Sequence, residues 1–76
     1  PDRRARELWA LPEGAAPVSL GLMPESGSIR LALDDRQRAA LAAATNVAVS
    51  DEPAGGSPTG APTGAVLYVA PLARTT

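Results

Sequence analysis

A stretch rich in proline and glycine, residues 53–64, constrains this chain more than any other feature. It contains three prolines, each of which fixes φ at about −65° and removes one backbone hydrogen-bond donor. Gly55 and Gly56 permit positive φ, and Ser57-Pro58-Thr59-Gly60 fits a type I turn. β-Type runs lie on both sides of the stretch. We therefore predict an ordered connector between two strands rather than a flexible Gly/Ser linker.

Composition restricts the functions that this chain can perform. Its 76 residues suffice for one small domain with a marginal core. Cysteine and histidine are absent, so the sequence has no disulfide, no thiolate metal site and no imidazole base. A formal net charge of −1 and the scarcity of aromatic residues disfavour binding to nucleic acid. We expect no enzyme activity, no cofactor, no metal and no nucleic-acid partner.

Apolar periodicity predicts a mainly β fold with one short helix. Alternating side chains indicate strands, and Asp34 with Gln37 three residues later forms a capping box before an alanine-rich segment. Gly21 inside a strand predicts either a bulge or a close backbone approach. The fold class is therefore a small antiparallel β-sandwich or partly open barrel. The predicted strands are Ala5–Leu11, Val18–Met23, Ser28–Leu33, Asn46–Ser50 and Val66–Ala70, and the helix covers about residues 34–44.

The fifth predicted strand differs from the others because it is apolar on both faces. Such a pattern is typical of a central or sandwiched strand, and we expect Val66–Ala70 to lie in the interior. Trp9 is expected to anchor the core, with its indole N–H donated to a carbonyl oxygen. A binding module would instead expose Trp9 or Tyr68, and we expect both rings to be covered.

Adjacent carboxylates at Asp51 and Glu52 are the strongest candidates for a chemical site. Neighbours on a strand point to opposite faces, so the two are not expected to converge on one ligand. A structural role is favoured, in which one carboxylate accepts backbone N–H groups or an arginine beside the connector. Ser57, Thr59 and Thr63 are interpreted as turn hydroxyls, because no histidine or lysine is present to activate a nucleophile.

Two motifs resemble the C-terminal extracytoplasmic domain of the anti-sigma-K factor (RskA) family. The first is Glu7-Leu8-Trp9-Ala10-Leu11 followed by Pro17-Val18-Ser19-Leu20-Gly21, and the second is the run from Glu52 to Gly64 with an apolar strand after it. In the family, the positions of Glu52 and Trp9 look structural. The residues that carry the resemblance are Glu7, Leu8, Trp9, Ser19, Leu20, Gly21, Glu52, Pro53, Gly55, Gly56, Pro58, Thr59 and Gly60.

The resemblance implies a regulatory domain on the extracytoplasmic, periplasmic side of the bacterial inner membrane. The full-length protein would cross the membrane once and hold a sigma factor inactive through a cytoplasmic region outside this chain. An envelope protease would cut the outer domain on a signal. If strands that precede the first motif are absent from the chain, an open sheet edge would favour a homodimer. The alternative is a non-enzymatic ligand- or carbohydrate-binding β-module of the cell envelope.

Overall fold

A computed structural model describes residues 4–24 and 32–72. Within these ranges the chain forms four strands and one helix. The predicted mainly β fold with one short helix is confirmed. The elements are β1 (Arg4–Pro12), β2 (Val18–Met23), α1 (Asp35–Ala43), β3 (Ala44–Pro53) and β4 (Val66–Pro71).

The four strands form one open antiparallel sheet in the order β2-β1-β3-β4. β1 and β3 are its central pair, with Leu8 opposite Val49 and Trp9 opposite Ala48. Three of the predicted strands match β1, β2 and β3, although β1 and β3 are longer than expected. The predicted strand Ser28–Leu33 falls largely on residues 25–31, which lie outside the described residues.

A bulge in β2 decides which side chains reach each face of the sheet. Leu8 lies opposite Gly21 whereas Trp9 lies opposite Ser19, so one extra residue of β2, Leu20, is accommodated between these two pairs. Gly21 has a φ of 121°, a conformation that costs glycine little. Of the two predicted alternatives, the bulge is confirmed. It places Leu20 on the same face of the sheet as Gly21, so that Ser19 lies on the opposite face.

Helix α1 covers one face of the sheet, which we call the helix face. The predicted capping box is present, with the Asp34 carboxylate accepting from the Gln37 N–H at 2.8 Å and the Gln37 amide accepting from the Asp34 N–H. The buried cluster on this face consists of Ala10 and Leu20 from the sheet with Ala40 from the helix and Ala44 just after it. Small side chains dominate it, so this half of the core contributes modest apolar burial.

The opposite face carries alternate side chains of β1 and β3 that include Glu7, Trp9, Ser50 and Glu52. We call it the loop face, because the segment between β3 and β4, the loop 54–65, makes its hydrogen bonds there. Trp9, Ser50 and Glu52 have no exposed surface at all. Burial of charged and hydroxyl side chains requires partners for each of them.

The prediction for the fifth strand was wrong. β4 is the edge strand of the sheet beside β3, and every one of its residues is exposed. Tyr68, expected to be covered, is 67% exposed. An apolar pattern shows that the side chains of a strand are hydrophobic, but it does not show which strands lie beside it. β3 pairs with β1 on one side and with β4 on the other, so β4 has one strand partner in the described part of the chain.

Candidate functional site

A buried chain of hydrogen bonds links Trp9 to Glu52 across the loop face. The indole N–H of Trp9 donates to the Ser50 hydroxyl at 2.8 Å, and that hydroxyl donates to Glu52 Oε2 at 2.5 Å. Trp9 is the predicted core anchor, but its acceptor is a serine hydroxyl and not the carbonyl oxygen that we expected. Each polar atom in this chain therefore has a partner although it lies away from water.

The Glu52 carboxylate connects this chain to the loop 54–65. It accepts the Thr63 hydroxyl at 2.5 Å, the Thr63 N–H at 3.1 Å and the Gly64 N–H at 3.4 Å. Hydrogen bonds to an ionised oxygen are stronger than neutral ones. A single side chain at the end of β3 thus holds the last turn of the loop before β4.

Hydrogen bonding also keeps Glu52 ionised. The hydroxyls of Ser50 and Thr63, followed by the backbone N–H groups of Thr63 and Gly64, lower the pKa of Glu52 to about 2, although burial opposes this change. The carboxylate is therefore negative at neutral pH. A group that must stay charged while it orders a loop is suited to a structural role rather than to proton transfer.

A second buried carboxylate holds the other end of the same loop. Glu7, on β1, accepts the Ser57 N–H at 2.7 Å and also the hydroxyl of Ser19 on the neighbouring β2. Glu7 is 7% exposed. The two glutamates lie on adjacent strands, and between them they fix the loop at residues 57, 63 and 64.

Two glycines are required by close contacts around these glutamates. A Cβ at Gly64 would lie 1.7 Å from the carbonyl oxygen of Asp51, which is a direct clash with backbone. A Cβ at Gly56 would lie 3.1 Å from Glu7 Oε1 and 3.2 Å from Leu22, and its φ of +99° already disfavours other residues. The glycines thus let the loop approach the sheet closely enough for the carboxylates to reach backbone N–H groups.

Asp51 and Glu52 point to opposite faces of the sheet, as expected, and each carboxylate has its own partners. Asp51 accepts from Arg4 Nε at 3.2 Å across the central strand pair, and both side chains are partly exposed. Such a solvent-exposed ion pair contributes little stability, about 0–1 kcal/mol. The arrangement brings the two carboxylates to separate partners instead of one ligand.

The remaining residues of the sequence motifs divide between the two faces and the loop. Leu8 and Leu20 pack on the helix face, whereas Ser19 binds Glu7 on the loop face. In the loop, the Ser57 hydroxyl accepts the Thr59 N–H at 3.3 Å and donates to the Ala61 carbonyl oxygen at 2.5 Å. Pro53 ends β3, and Gly21 supplies the bulge; Gly55, Pro58, Thr59 and Gly60 lie on the exposed side of the loop.

Sequence reasoning missed Ser50 and did not connect Glu7 to the loop. The signal was present, because Glu7 and Trp9 are two residues apart on one strand, and Ser50 and Glu52 are two apart on another. Spacing of two puts each pair on one face of a sheet. The pattern does not give the register between β1 and β3, which places Glu7 opposite Ser50 and Trp9 opposite Ala48.

A cavity of about 510 Å³ is lined by Arg4, Ala5, Arg6, Leu22, Met23 and Pro24, and neither buried glutamate is among these lining residues. Residues 4–24 and 32–72 contain no cluster of three or more side chains suited to hold a metal ion. Across the same ranges, no helix has both the length and the apolar character needed to cross a membrane.

Comparison with known proteins gives one match, and it covers most of the chain. No curated protein and no solved structure matches the sequence. The family described as anti-sigma-K factor RskA, C-terminal, matches residues 1–66. That range includes β1, β2, α1, β3 and the loop that the two glutamates hold. The chain therefore belongs to the family of the C-terminal domain of the anti-sigma-K factor RskA.

Proposed function

We propose that this chain is the non-enzymatic, regulatory outer domain of a membrane-anchored anti-sigma factor. The family match over residues 1–66 carries the proposal, because anti-sigma factors act by binding a sigma factor. In this proposal the domain lies on the periplasmic side of the inner membrane. The sigma factor binds a cytoplasmic region that is not part of the 76 residues. An envelope protease cuts the domain when a signal opens it.

The loop 54–65 is the element that such a protease would cleave. Proteases cut exposed, polar loop tips in preference to hydrogen-bonded strands. Here the backbone is held at Ser57, Thr63 and Gly64 by two buried carboxylates. While those bonds persist the loop cannot adopt the extended form that an active site requires, so cleavage reports opening of the domain.

A small core suits this role. The buried apolar side chains of the described residues are Trp9, Leu20 and four alanines, Ala10, Ala40, Ala44 and Ala48. Domains of this size have little stability in reserve, and a loss of about 1–2 kcal/mol changes the unfolded fraction several-fold. A modest perturbation at the envelope would therefore be sufficient to expose the loop.

The alternative of a carbohydrate-binding module finds less support. Trp9, one of its two candidate stacking rings, has no exposed surface. Tyr68 is exposed, but its neighbours Leu67 and Val69 are apolar. A sugar site usually combines an aromatic platform with polar groups that bind its hydroxyls.

The test is to destabilise this domain in the full-length, membrane-anchored protein and to follow the sigma factor. Trp9→Ala removes the largest buried side chain. We expect cleavage of the outer domain and sigma-dependent transcription without any inducing signal. Arg36→Ala, at an exposed helix position, is the matched control and should leave both at the uninduced level. Continued inhibition of the sigma factor by a protein whose outer domain is shown to be unfolded would contradict the proposal.

A further inference from the structure

β4 carries the longest run of exposed large hydrophobic side chains among the described residues. Four consecutive apolar side chains are exposed on it: Val66 by 52%, Leu67 by 44%, Tyr68 by 67% and Val69 by 60%. β4 pairs with β3 on one side only, and no strand in residues 4–24 or 32–72 pairs with the other. Backbone groups that alternate along that side are left without strand partners.

The two edges of the sheet differ in how they are protected. At the β2 edge, the bulge at Leu20 and Gly21 interrupts the regular backbone, and α1 packs against the strand. Bulges and covering elements are common devices against edge-to-edge pairing. β4 has a bulge near its start, between the pairs of Val49 and Ser50, but its last four residues pair with β3 in regular register. Of those four, Pro71 has no N–H to donate, so the segment that can accept an additional strand is Tyr68–Ala70.

Charge favours a second copy of the chain as that strand. Residues 53–73 contain no Asp, Glu, Lys or Arg, so β4 lies within 21 consecutive uncharged positions. Natural edge strands usually carry a charge, most often lysine, because it opposes self-pairing. Two β4 strands can meet without repulsion, and each offers the apolar, β-rich side chains that pack best across a strand pair.

We propose that two copies of this chain associate through antiparallel pairing of β4 with β4, which joins their sheets into one of eight strands. A twofold axis between the strands makes the contact self-complementary. The pairing satisfies the outward backbone groups and brings apolar side chains of the two β4 strands into contact across the new strand pair. Because a single strand pair buries less surface than a typical permanent interface, the dimer is expected to dissociate on dilution. The inference is independent of the proposed regulatory role.

The experiment measures mass and backbone protection of the purified chain against concentration. Sedimentation from about 10 µM to about 1 mM should show a transition from monomer to dimer. Hydrogen exchange of the outward β4 amides should slow over the same range, while the Ser57 and Thr63 amides, which already have partners, should not change. Val69→Lys should weaken dimerisation at least about 10-fold, because symmetry sets two like charges into one short interface.

Controls separate pairing from damage to the fold. Ala39→Lys adds the same charge at an exposed position of α1 and should leave the dimer unchanged. Tyr68→Lys is a second edge variant in case Val69→Lys disturbs folding, and circular dichroism checks both. The inference is overturned if the wild-type chain stays at monomer mass up to about 1 mM, if β4 amides exchange equally fast in the dimer, or if folded edge variants dimerise as the wild type does.

Discussion

The helix face and the loop face of the same sheet are closed by different kinds of contact. On the helix face, a short helix packs small apolar side chains against Leu20 and Ala10. On the loop face, a segment without regular structure is held by Glu7 and Glu52 through hydrogen bonds to its backbone. A helix satisfies its own backbone groups and needs only an apolar stripe to bind a sheet, whereas a loop must be given acceptors.

This difference makes the two faces respond to different perturbations. Apolar packing is insensitive to pH and is weakened in proportion to the volume that a substitution removes. The loop face depends on the Glu52 carboxylate, which must remain ionised, and on Trp9, which both fills space and donates to Ser50. Acid is therefore expected to weaken the loop face but not the apolar packing of the helix face.

The largest expected effect comes from Trp9→Ala, which we compare with Leu20→Ala on the helix face. Loss of the buried indole should lower the free energy of unfolding by about 3–5 kcal/mol, and loss of the buried leucine by about 2–5 kcal/mol. Trp9→Ala also leaves the Ser50 hydroxyl without its donor. Urea unfolding followed by circular dichroism measures both, and a clearly smaller loss for Trp9→Ala would show that the helix face dominates stability.

Acid should lower the stability of the loop face, with an effect between those of Trp9→Ala and Asp34→Ala. Hydrogen bonds from Ser50 and Thr63 hold the pKa of Glu52 at about 2 in the folded domain, below the ordinary value of about 4.5 for a glutamate. Since the folded value is the lower one, the unfolded chain binds more protons in this window, and the associated stability is full above pH 4.5 and lost as pH falls from about 4.5 to about 2. The urea midpoint should fall accordingly.

Glu52→Gln provides the control for the effect of acid. The amide keeps the size of the side chain but cannot ionise, so the variant should be less stable than the wild type at pH 7 and should lose less stability between pH 4.5 and 2. Leu20→Ala, on the helix face, should retain the wild-type dependence on pH. Parallel acid curves for wild type and Glu52→Gln would mean that Glu52 is not the group responsible.

The smallest expected effect is at the start of the helix. Asp34→Ala removes the side chain that accepts the Gln37 N–H and should cost about 1 kcal/mol, as helix caps usually do. Arg36→Ala is the neighbouring control, since Arg36 is exposed in the same turn and is not the cap. Thermal unfolding at pH 7 compares the two. A loss of stability for Asp34→Ala as large as that for Trp9→Ala would contradict the expected order of the two effects.

Local signals in the sequence were sufficient for most of the elements. The bulge at Gly21 and the capping box of α1 each depend on residues within a few positions of one another, and both are present in the structure. The family resemblance could also be read from two short motifs, and the match over residues 1–66 confirms it. Such features are encoded locally because backbone geometry and capping act over one turn.

Only the tertiary structure decided which strand lies at the edge and which carboxylate meets the loop. β4 reads as an interior strand, yet strand order places it outermost, because order depends on pairings between residues far apart in the chain. Likewise Glu7 and Ser57 are 50 positions apart, and no periodicity links them. The sequence by itself determined the elements and the family; register and strand order determined the buried network, since a sheet is assembled from long-range contacts that no local pattern specifies.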